Sequence, residues 1–316
     1  MRQLVMGEND SGQRLDKFLT KALPLLPQSL LYKYLRTKRI KVNGKRGDIA
    51  YRLAPGDVVE LYIGDEFFAP EDDPLAFLRA GTDLNIVYED DHLLAVDKPA
   101  GLVVHQDESG TPDTLIGRVL RYLYQSGQFV PDKEQSFTPA LCHRIDRNTS
   151  GLVLCAKDAA TLRVMNEKIR DREITKRYRC LVLGTPAPAH AVKKAFLVRD
   201  EDTRQVRVYD RPVPGGRTAV TEYTVLESRG DLSLLEVVLH TGRTHQIRAH
   251  MAHLGHPLAG DAKYGTAKEN KGLPFRHQAL CAYSITFDFP TDAGHLEYLK
   301  GRTLRVAALP FSLDQQ

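Results

Sequence analysis

A short polar segment, residues 141–151 with the sequence LCHRIDRNTSG, carries a single carboxylate, Asp146. Arg144 and Arg147 flank it, and an apolar run, LVLCAK, follows directly. Two guanidinium groups beside one carboxylate favour its ionised form and can hold phosphate groups next to it. The same residue types also build hydrogen-bonded turns, which is the alternative interpretation. Because loops held against buried strands often carry function, Asp146 is the first catalytic candidate.

A second segment, ITKRYRCLVLG, is predicted to be a strand and places Tyr178 among three cations, Lys176, Arg177 and Arg179. Positive charge around a phenol favours its ionised form, so we expect Tyr178 to act as a base. The alternative is a half-buried core tyrosine with no chemical role.

A third segment, residues 240–257, contains five histidines within seventeen residues and so raises the possibility of a metal site. No carboxylate lies among them and the HExxH pattern is absent, which argues against zinc. Ile247, Met251 and Leu254 have the spacing of the buried side of a helix. Arg243 follows a glycine turn, and its forked guanidinium makes it the candidate partner of a catalytic carboxylate.

Charge is segregated along the 316-residue chain, although 44 Lys and Arg against 40 Asp and Glu give a net charge of only +4. Residues 33–46 carry seven basic side chains and no acid, whereas residues 65–74 carry five acids and no base. We therefore expect a basic N-terminal domain at residues 1–64, an acidic linker at 65–83 and a larger domain at 84–316. Such a cluster can be a solvated face or a surface that docks on phosphates. On the second interpretation the RNA-binding residues are Lys33, Arg36, Lys38, Arg39, Lys41, Lys45 and Arg46.

The order of predicted elements indicates an α+β fold. The first domain is predicted to be a small α/β module, with two short amphipathic helices and a hairpin turn at Asn43-Gly44. In the larger domain, strands and helices interleave without a βαβ rhythm, which predicts a mixed, mostly antiparallel sheet with flanking helices. Neither GxGxxG nor a GKS/T loop occurs, so no nucleotide cofactor is expected.

Composition excludes several classes of protein. An apolar content of 42% with 27% charged residues is typical of a globular protein and excludes a disordered chain. No run approaches the ~20 apolar residues that a membrane span needs, and the N-terminus has no signal-peptide core. The four cysteines lack CxxC spacing, as expected of reduced thiols. We therefore expect a cytoplasmic protein without a membrane partner.

Two resemblances bring these observations together. Residues 12–62 resemble the αL RNA-binding module, on Arg14-Leu15-Asp16, the basic second helix and Lys41-Val42-Asn43-Gly44. The segments DHLLAVDKPAGLVVH, HRIDRNTSGLVLCAK, Lys-Arg-Tyr and HTGRTHQIRAHMAHLGHPLAGDAKYG occur in the order found in the RluA family of pseudouridine synthases. This second resemblance runs from about Asn85 to Pro290 and implies the pseudouridine synthase fold.

The resemblance also implies roles for individual residues. Asp146 matches the family's catalytic aspartate, Tyr178 its active-site tyrosine, and Arg243 the arginine that pairs with the aspartate. Four further residues are implied to bind the substrate: His143, Arg144, Thr149 and Ile247. The reaction breaks the N1–C1′ bond of uridine and rejoins the uracil through C5, so it implies no metal and no other cofactor. Ile145, Asp97 and Cys281 depart from the usual Leu, Asn and His, and the last two weaken any choice of substrate.

The sequence leads to an RNA pseudouridine synthase whose partner is structured RNA. We expect a monomer that acts on large-subunit ribosomal RNA, like the RluC or RluD type, with RluC slightly favoured. Transfer RNA is the alternative substrate. A non-catalytic RNA-binding or ribosome-assembly factor is the alternative function, and a histidine-rich metalloenzyme is a third hypothesis. The sequence leaves open whether Asp146 attacks C1′ or first assists loss of the 2′-proton.

Overall fold

The computed structural model describes residues 1–68, 73–107, 110–131 and 136–314, so residues 69–72 of the predicted linker lie outside the described part. The strands form two separate sheets, one near the N-terminus and one in the rest of the chain. The elements of the N-terminal module are β1 (Arg2–Val5), α1 (Leu15–Ala22), α2 (Gln28–Arg36), β2 (Ile40–Val42), β3 (Lys45–Arg46) and β4 (Val58–Leu61).

The module is an antiparallel sheet, ordered β1-β4-β2-β3, covered by its two helices. Leu15, Phe18 and Leu19 recur every three or four residues along α1, so that helix buries one face against the sheet. Asn43 and Gly44 both have positive φ, 51° and 74°, as the two-residue turn between β2 and β3 requires. The predicted helices and hairpin are therefore present.

Within the described ranges, the second sheet has eleven strands. Its strands are β5 (Ile86–Glu89), β6 (Leu93–Lys98), β7 (Ala140–Leu141), β8 (Ser150–Ala156), β9 (Ile174–Leu183), β10 (His190–Arg199), β11 (Val206–Tyr209), β12 (Arg217–Arg229), β13 (Leu232–Leu239), β14 (Leu280–Phe287) and β15 (Thr303–Arg305). Its helices are α3 (Leu115–Gln125), α4 (Ala159–Arg170) and α5 (Gln246–His253).

The second sheet is mixed and mostly antiparallel, as predicted. The main path runs β11-β10-β12-β13-β9-β14-β8-β6-β5, with β15 on β14 and β7 on β8. Among the described strands, the parallel pair is β8 with β14. At that contact Gly151 has φ 107°, and a Cβ there would lie 2.4 Å from the Ala282 carbonyl oxygen. Only glycine allows this close approach.

Helices cover both faces of the sheet, which explains why β8 is buried throughout. Leu152 and Leu154 face a core that includes Met165 of α4. Val153 and Cys155 face the opposite core, which contains the apolar sides of α3 and α5. None of the helices in the described ranges is both long and apolar enough to span a bilayer.

The predicted linker contacts both the N-terminal module and the larger domain. Phe67 lies against the core of the module, and its ring meets Tyr34 edge to face. Farther on, Arg121 of α3 donates to the carbonyl oxygens of Leu78 and Ala80. The module also touches the larger domain directly, because the Ala159 amide at the start of α4 donates to Asn9 Oδ1 over 3.0 Å.

Candidate active site

A cleft of about 580 Å³ opens beside the central strands of the large sheet. The loop before β8, the first half of β9 and the segment entering α5 form its walls. This is the size of a pocket that encloses a small organic group. All seven predicted catalytic and substrate-binding residues line it: His143, Arg144, Asp146, Thr149, Tyr178, Arg243 and Ile247.

Asp146 lies in a hydrogen-bonded turn, where the Thr149 amide donates to the Asp146 carbonyl oxygen over 3.1 Å. The turn leaves the carboxylate in the cleft with about 28% of the side chain exposed. Arg248 Nη1 donates to Asp146 Oδ2 over 3.1 Å, and His245 Nε2 lies 3.9 Å from the same oxygen. The two sequence interpretations, turn and site, therefore describe the same loop.

In the structure Arg248 pairs with Asp146, whereas Arg243 was predicted to do so. Arg243 lies in the exposed turn before α5, where its Nε donates to the Thr218 carbonyl oxygen over 3.1 Å. Arg248 is on α5 itself, one residue after Ile247, and points back toward the loop that carries Asp146. Arg243 therefore lies on the exposed wall of the cleft.

A buried ion pair holds Arg248 in place. Its Nε and Nη2 donate to the two oxygens of Asp261 over 2.7 and 3.0 Å, a bidentate arrangement that fixes the guanidinium plane. The Asp261 side chain is 0% exposed and that of Arg248 is 9% exposed. Although burial opposes the charge of Arg248, Asp261 and Asp146 raise its pKa. Arg248 is thus a permanent cation aimed at Asp146.

Tyr178 lies in the middle of β9 and is buried, in register with Val237 of β13 and Ala282 of β14. Burial, and then the charge of Asp146, raise its pKa far above the usual value. The expectation that neighbouring cations favour a phenolate is therefore wrong. Since side chains alternate along a strand, Arg177 and Arg179 point away from Tyr178, toward Glu236 of β13.

Apolar side chains form the floor of the cleft around Tyr178. Ile247 is 4% exposed on α5, and Ile145 is 8% exposed in the loop beside Asp146. Both belong to the same core cluster as Tyr178. A flat nucleobase can pack between these apolar side chains while its polar edges contact the walls of the cleft.

The other predicted substrate-binding residues differ in their surroundings. Arg144 is exposed at the mouth of the cleft. The Leu154 amide donates to His143 Nε2 over 3.3 Å, and burial lowers the pKa of His143 well below its usual value. His143 is therefore neutral, with its proton on Nδ1. Thr149 is 2% exposed and accepts from Gln278 Nε2 over 3.4 Å, so it also supports the loop.

His245 holds an unusual backbone conformation at the N-terminal end of α5. Its φ of 50° lies in the left-handed region, which is uncommon for residues other than glycine. Its Nδ1 lies 2.8 Å from the Tyr264 hydroxyl, and Tyr264 packs under the Arg248 guanidinium at 5.2 Å. Burial lowers the pKa of His245, against the pull of Asp146. The histidine is thus a neutral neighbour of the Asp146 carboxylate.

Lys98 holds the loop that carries Asp146 through backbone hydrogen bonds. Its ammonium donates to three carbonyl oxygens, those of Pro99, Leu102 and Arg147, over 2.7–2.8 Å. The residue is 0% exposed, and burial lowers its pKa to about 7 despite the attraction of Asp146. Since Arg147 directly follows Asp146, Lys98 fixes the backbone next to the carboxylate.

Sequence reasoning missed Arg248, Asp261, His245 and Lys98. The signals were present, because Arg248 follows Ile247 within HQIR and Asp261 follows a glycine in LAGD. However, Arg243 and Arg248 are only five residues apart, and their spacing alone does not show which one faces Asp146. In the described residues, no group of three metal-ligating side chains lies in the cleft.

The predicted RNA-binding residues form an exposed basic surface on the module. Six of the seven are exposed and Lys41 is half-buried. None of the seven forms an ion pair with any residue that the structure describes. Two of them lie over aromatic rings, Arg39 over Tyr34 at 5.4 Å and Lys41 over Tyr62 at 4.9 Å. The charges are therefore available to an anionic partner.

Comparison with known proteins places both parts of the chain. The family model described as RNA pseudouridylate synthase matches residues 92–253, and the S4 domain model matches residues 13–59. The "Ribosomal large subunit pseudouridine synthase C" of Vibrio vulnificus is 35% identical over 302 residues, which cover 92% of this chain and 89% of that protein. The "Uncharacterized RNA pseudouridine synthase YlyB" of Bacillus subtilis is 33% identical over 295 residues, 93% and 92% of the two chains.

Solved structures show the same fold. "Human RNA Pseudouridylate Synthase Domain Containing 4" superposes with a TM-score of 0.55 at 24% identity, over 72% of this chain and 88% of that one. The predicted family and fold are thus confirmed, and the αL resemblance corresponds to the S4 match. With Asp146, Tyr178 and an arginine gathered in one cleft, the chain belongs to the RNA pseudouridylate synthase family and carries an N-terminal S4 domain.

Proposed function

We propose that this pseudouridine synthase modifies uridines of large-subunit ribosomal RNA, and that Asp146, Tyr178 and Arg248 carry the reaction. The observation that carries the assignment of residues is the Arg248–Asp146 hydrogen bond at the cleft that also holds Tyr178. Support for the RNA class comes from the similar proteins of Vibrio vulnificus and Haemophilus influenzae, both named for the large ribosomal subunit.

Asp146 acts on the sugar of the target uridine. The carboxylate is the acidic group of the loop that faces the cleft, and Arg248 holds it in one orientation through Oδ2. Its other oxygen can then approach either C1′ or the 2′-proton, and both routes break the N1–C1′ bond. Orientation of this kind lowers the entropic part of the barrier.

Tyr178 handles the proton that C5 loses after the uracil has been rejoined through C5. Because its raised pKa keeps the phenol protonated, Tyr178 can accept the C5 proton only while giving up its own. Asp146, whose charge contributes to that pKa, is the carboxylate in its surroundings that can take this proton. Ile247 and the Tyr178 ring hold the base while the uracil turns.

The target base has to leave its stack to reach these groups. Arg144 at the mouth of the cleft can bind the backbone or fill the gap that the base leaves. Arg243, Arg170, Arg172 and Lys176 also line the cleft and supply positive charge for flanking phosphates. His143 and Thr149 lie deeper and hold the wall that receives the nucleotide.

Residues 1–64 dock the RNA through their basic surface, while residues 84–316 perform the isomerisation and 65–83 connect the two. We further propose that the enzyme works as a monomer in the cytoplasm. The four cysteines are free, buried thiols, as is usual in a reducing compartment.

The test uses purified protein with unmodified transcripts of large-subunit ribosomal RNA and of transfer RNAs. Carbodiimide labelling followed by reverse transcription maps the product. We expect stops in the ribosomal transcript with the wild-type protein and none with Asp146→Asn, which keeps the shape of the side chain. Stops in transfer RNA alone would contradict the substrate, and activity of Asp146→Asn would contradict the role of the carboxylate. The same sites should be unmodified in a strain that lacks the gene.

A further inference from the structure

Three side chains that can bind a metal meet on the surface outside the active-site cleft. His92 lies in the turn between β5 and β6, and Asp158 is the N-cap of α4. His295 lies in the 3-10 helix Gly294–Leu299. One ligand atom from each of the three lies within 4.8 Å of the other two. None of these three is among the residues that line the cleft.

Hydrogen bonds already link both imidazoles to one carboxylate, His92 directly and His295 through the Thr161 hydroxyl. His92 Nδ1 lies 3.0 Å from Asp158 Oδ2, and the Thr161 hydroxyl donates to the same oxygen over 2.8 Å. Because the Thr161 proton is used in that bond, His295 Nε2 must donate to Thr161 Oγ1 across their 2.9 Å. The two rings meet edge to face with centroids 4.8 Å apart.

We propose that His92, Asp158 and His295 form a zinc-binding site, with water in the fourth position. Two imidazole nitrogens and one carboxylate oxygen are a common ligand set for Zn²⁺. Tetrahedral ligands about 2.0–2.1 Å from the ion lie about 3.4 Å apart, so the longest separation has to shorten by about 1.4 Å. His92 is 41% exposed at its side chain and His295 is exposed, so both rings have room to turn.

The carboxylate is held ready for this role. The Thr161 amide donates to Asp158 Oδ1 over 2.7 Å, and the hydroxyl of the same residue to Oδ2. Although burial opposes its charge, the Thr161 bonds and His92 lower the pKa of Asp158. Groups that orient a ligand in this way strengthen a metal site. A ring nitrogen that binds the ion carries no proton, so a proton now on that nitrogen, in His92 or in His295, moves to the other nitrogen of its ring or to solvent.

The site lies next to a contact between the two parts of the chain. Ala159, which follows Asp158, donates its amide to Asn9 of the N-terminal module. A bound ion joins the β5–β6 turn, the start of α4 and the 3-10 helix, so it stabilises the surface against which the module rests. The proposed site is structural and takes no part in the isomerisation.

The test is titration of the full-length, tag-free protein with Zn²⁺, by calorimetry and by equilibrium dialysis with metal analysis. We expect one zinc per chain, and at least tenfold weaker binding in His92→Ala and in His295→Ala. The control is His190→Ala, which removes an exposed histidine of β10 that lies against Thr224. It should bind zinc like the wild type.

Two results would overturn the proposal. One is wild-type binding no tighter than that of the His92→Ala/His295→Ala double variant, because the cysteines and the other histidines would then account for any zinc. The other is an equal loss in His190→Ala. Thermal unfolding of each variant without metal checks that the variants fold, and with zinc it should show a rise in Tm for the wild type but not for the double variant.

Discussion

Arg248 donates from Nη1 to Asp146 Oδ2 over 3.1 Å while its other nitrogens bind the two oxygens of Asp261. One guanidinium therefore connects the Asp146 carboxylate in the cleft to the carboxylate of Asp261, which is 0% exposed. The orientation of Asp146 thus depends on an ion pair inside the protein. On the proposed roles of these residues, we expect one arginine to serve both catalysis and stability.

Removing Arg248 should damage both properties. In Arg248→Ala the buried Asp261 loses its partner, so we expect the free energy of unfolding to fall by about 3–5 kcal/mol. Arg248→Lys keeps the charge but not the fork, and should slow pseudouridine formation by about 10²-fold with a smaller loss of stability. Urea unfolding and single-turnover assays on a ribosomal transcript measure the two effects.

Arg243→Ala is the matched control, since this exposed arginine also lines the cleft but donates to a backbone carbonyl. Its free energy of unfolding should stay within about 0.5 kcal/mol of the wild type. A larger loss of stability in Arg243→Ala than in Arg248→Ala would contradict the pairing of Arg248 with Asp261 and Asp146 in solution.

The difference between these two arginines also shows which parts of the site can be predicted from the sequence. The loop of Asp146, the strand of Tyr178 and the helix of Ile247 follow from residue types and spacing. Which arginine reaches Asp146 depends on the direction of α5 and on Asp261, thirteen residues beyond Arg248. That is a property of tertiary packing, which local patterns do not contain.

The surroundings of Tyr178 were predictable in part. Strand periodicity alone puts Arg177 and Arg179 on the opposite face, so a count of nearby cations overestimated the positive field at the phenol. The depth of burial could not be read from β9 alone, because β13, β14 and α5 supply the packing. A similar limit applies to Lys98, whose carbonyl partners come from two separate loops.

Tyr178→Phe should retain RNA binding and lose turnover. Without the hydroxyl, the proton at C5 has no carrier, and the expected loss in rate is about 10²–10⁴-fold. Release of tritium from RNA that contains 5-tritiated uridine follows this step directly. The raised pKa keeps the wild-type phenol protonated. The plot of rate against pH should therefore show no change due to ionisation of Tyr178 between about pH 6 and pH 9. Tritium release at the wild-type rate from Tyr178→Phe would contradict the assignment.

Lys98→Met should loosen the loop that carries Asp146. The three carbonyl oxygens lose their donor, so we expect the free energy of unfolding to fall by about 3 kcal/mol. If Lys98 acts by positioning Asp146, kcat should fall by more than KM rises. Lys300→Met, which alters an exposed lysine paired with Glu297, should change neither. A Lys98→Met protein with normal kcat would remove this positioning role.

Buried His250 should make the fold less stable in acid. His250 Nδ1 lies 2.9 Å from Thr221 Oγ1, which also accepts from Gln246 Nε2, and both groups are buried. Burial lowers the pKa of His250 to about 4, below the ordinary 6.5. The unfolded chain therefore binds more protons between these values, and about 3 kcal/mol of stability is lost as pH falls from 6.5 to 4.

The measurement for His250 is urea unfolding across that pH range. His250→Asn keeps an acceptor for Thr221 but does not titrate, so its stability should decline less steeply with acid than that of the wild type. His190→Asn, at an exposed position of β10 beside Thr224, is the matched control for the substitution. Equal slopes for the wild type and His250→Asn would assign the acid sensitivity to other groups.

Neutralising the basic surface of the S4 domain should weaken RNA binding without removing the chemistry. Lys38, Arg39 and Lys41 form no ion pair with any residue in the described part of the chain, so their charges are free to displace counterions from RNA. In a Lys38→Gln/Arg39→Gln/Lys41→Gln variant, the slope of log affinity against log salt should flatten by about 2–3. Filter binding between 50 and 200 mM salt measures the slope. Single-turnover rates at saturating enzyme should stay near those of the wild type, since the cleft is unchanged.

Affinity that does not respond to these three changes would assign the docking of RNA to another surface, and the cations lining the cleft would be the next to test.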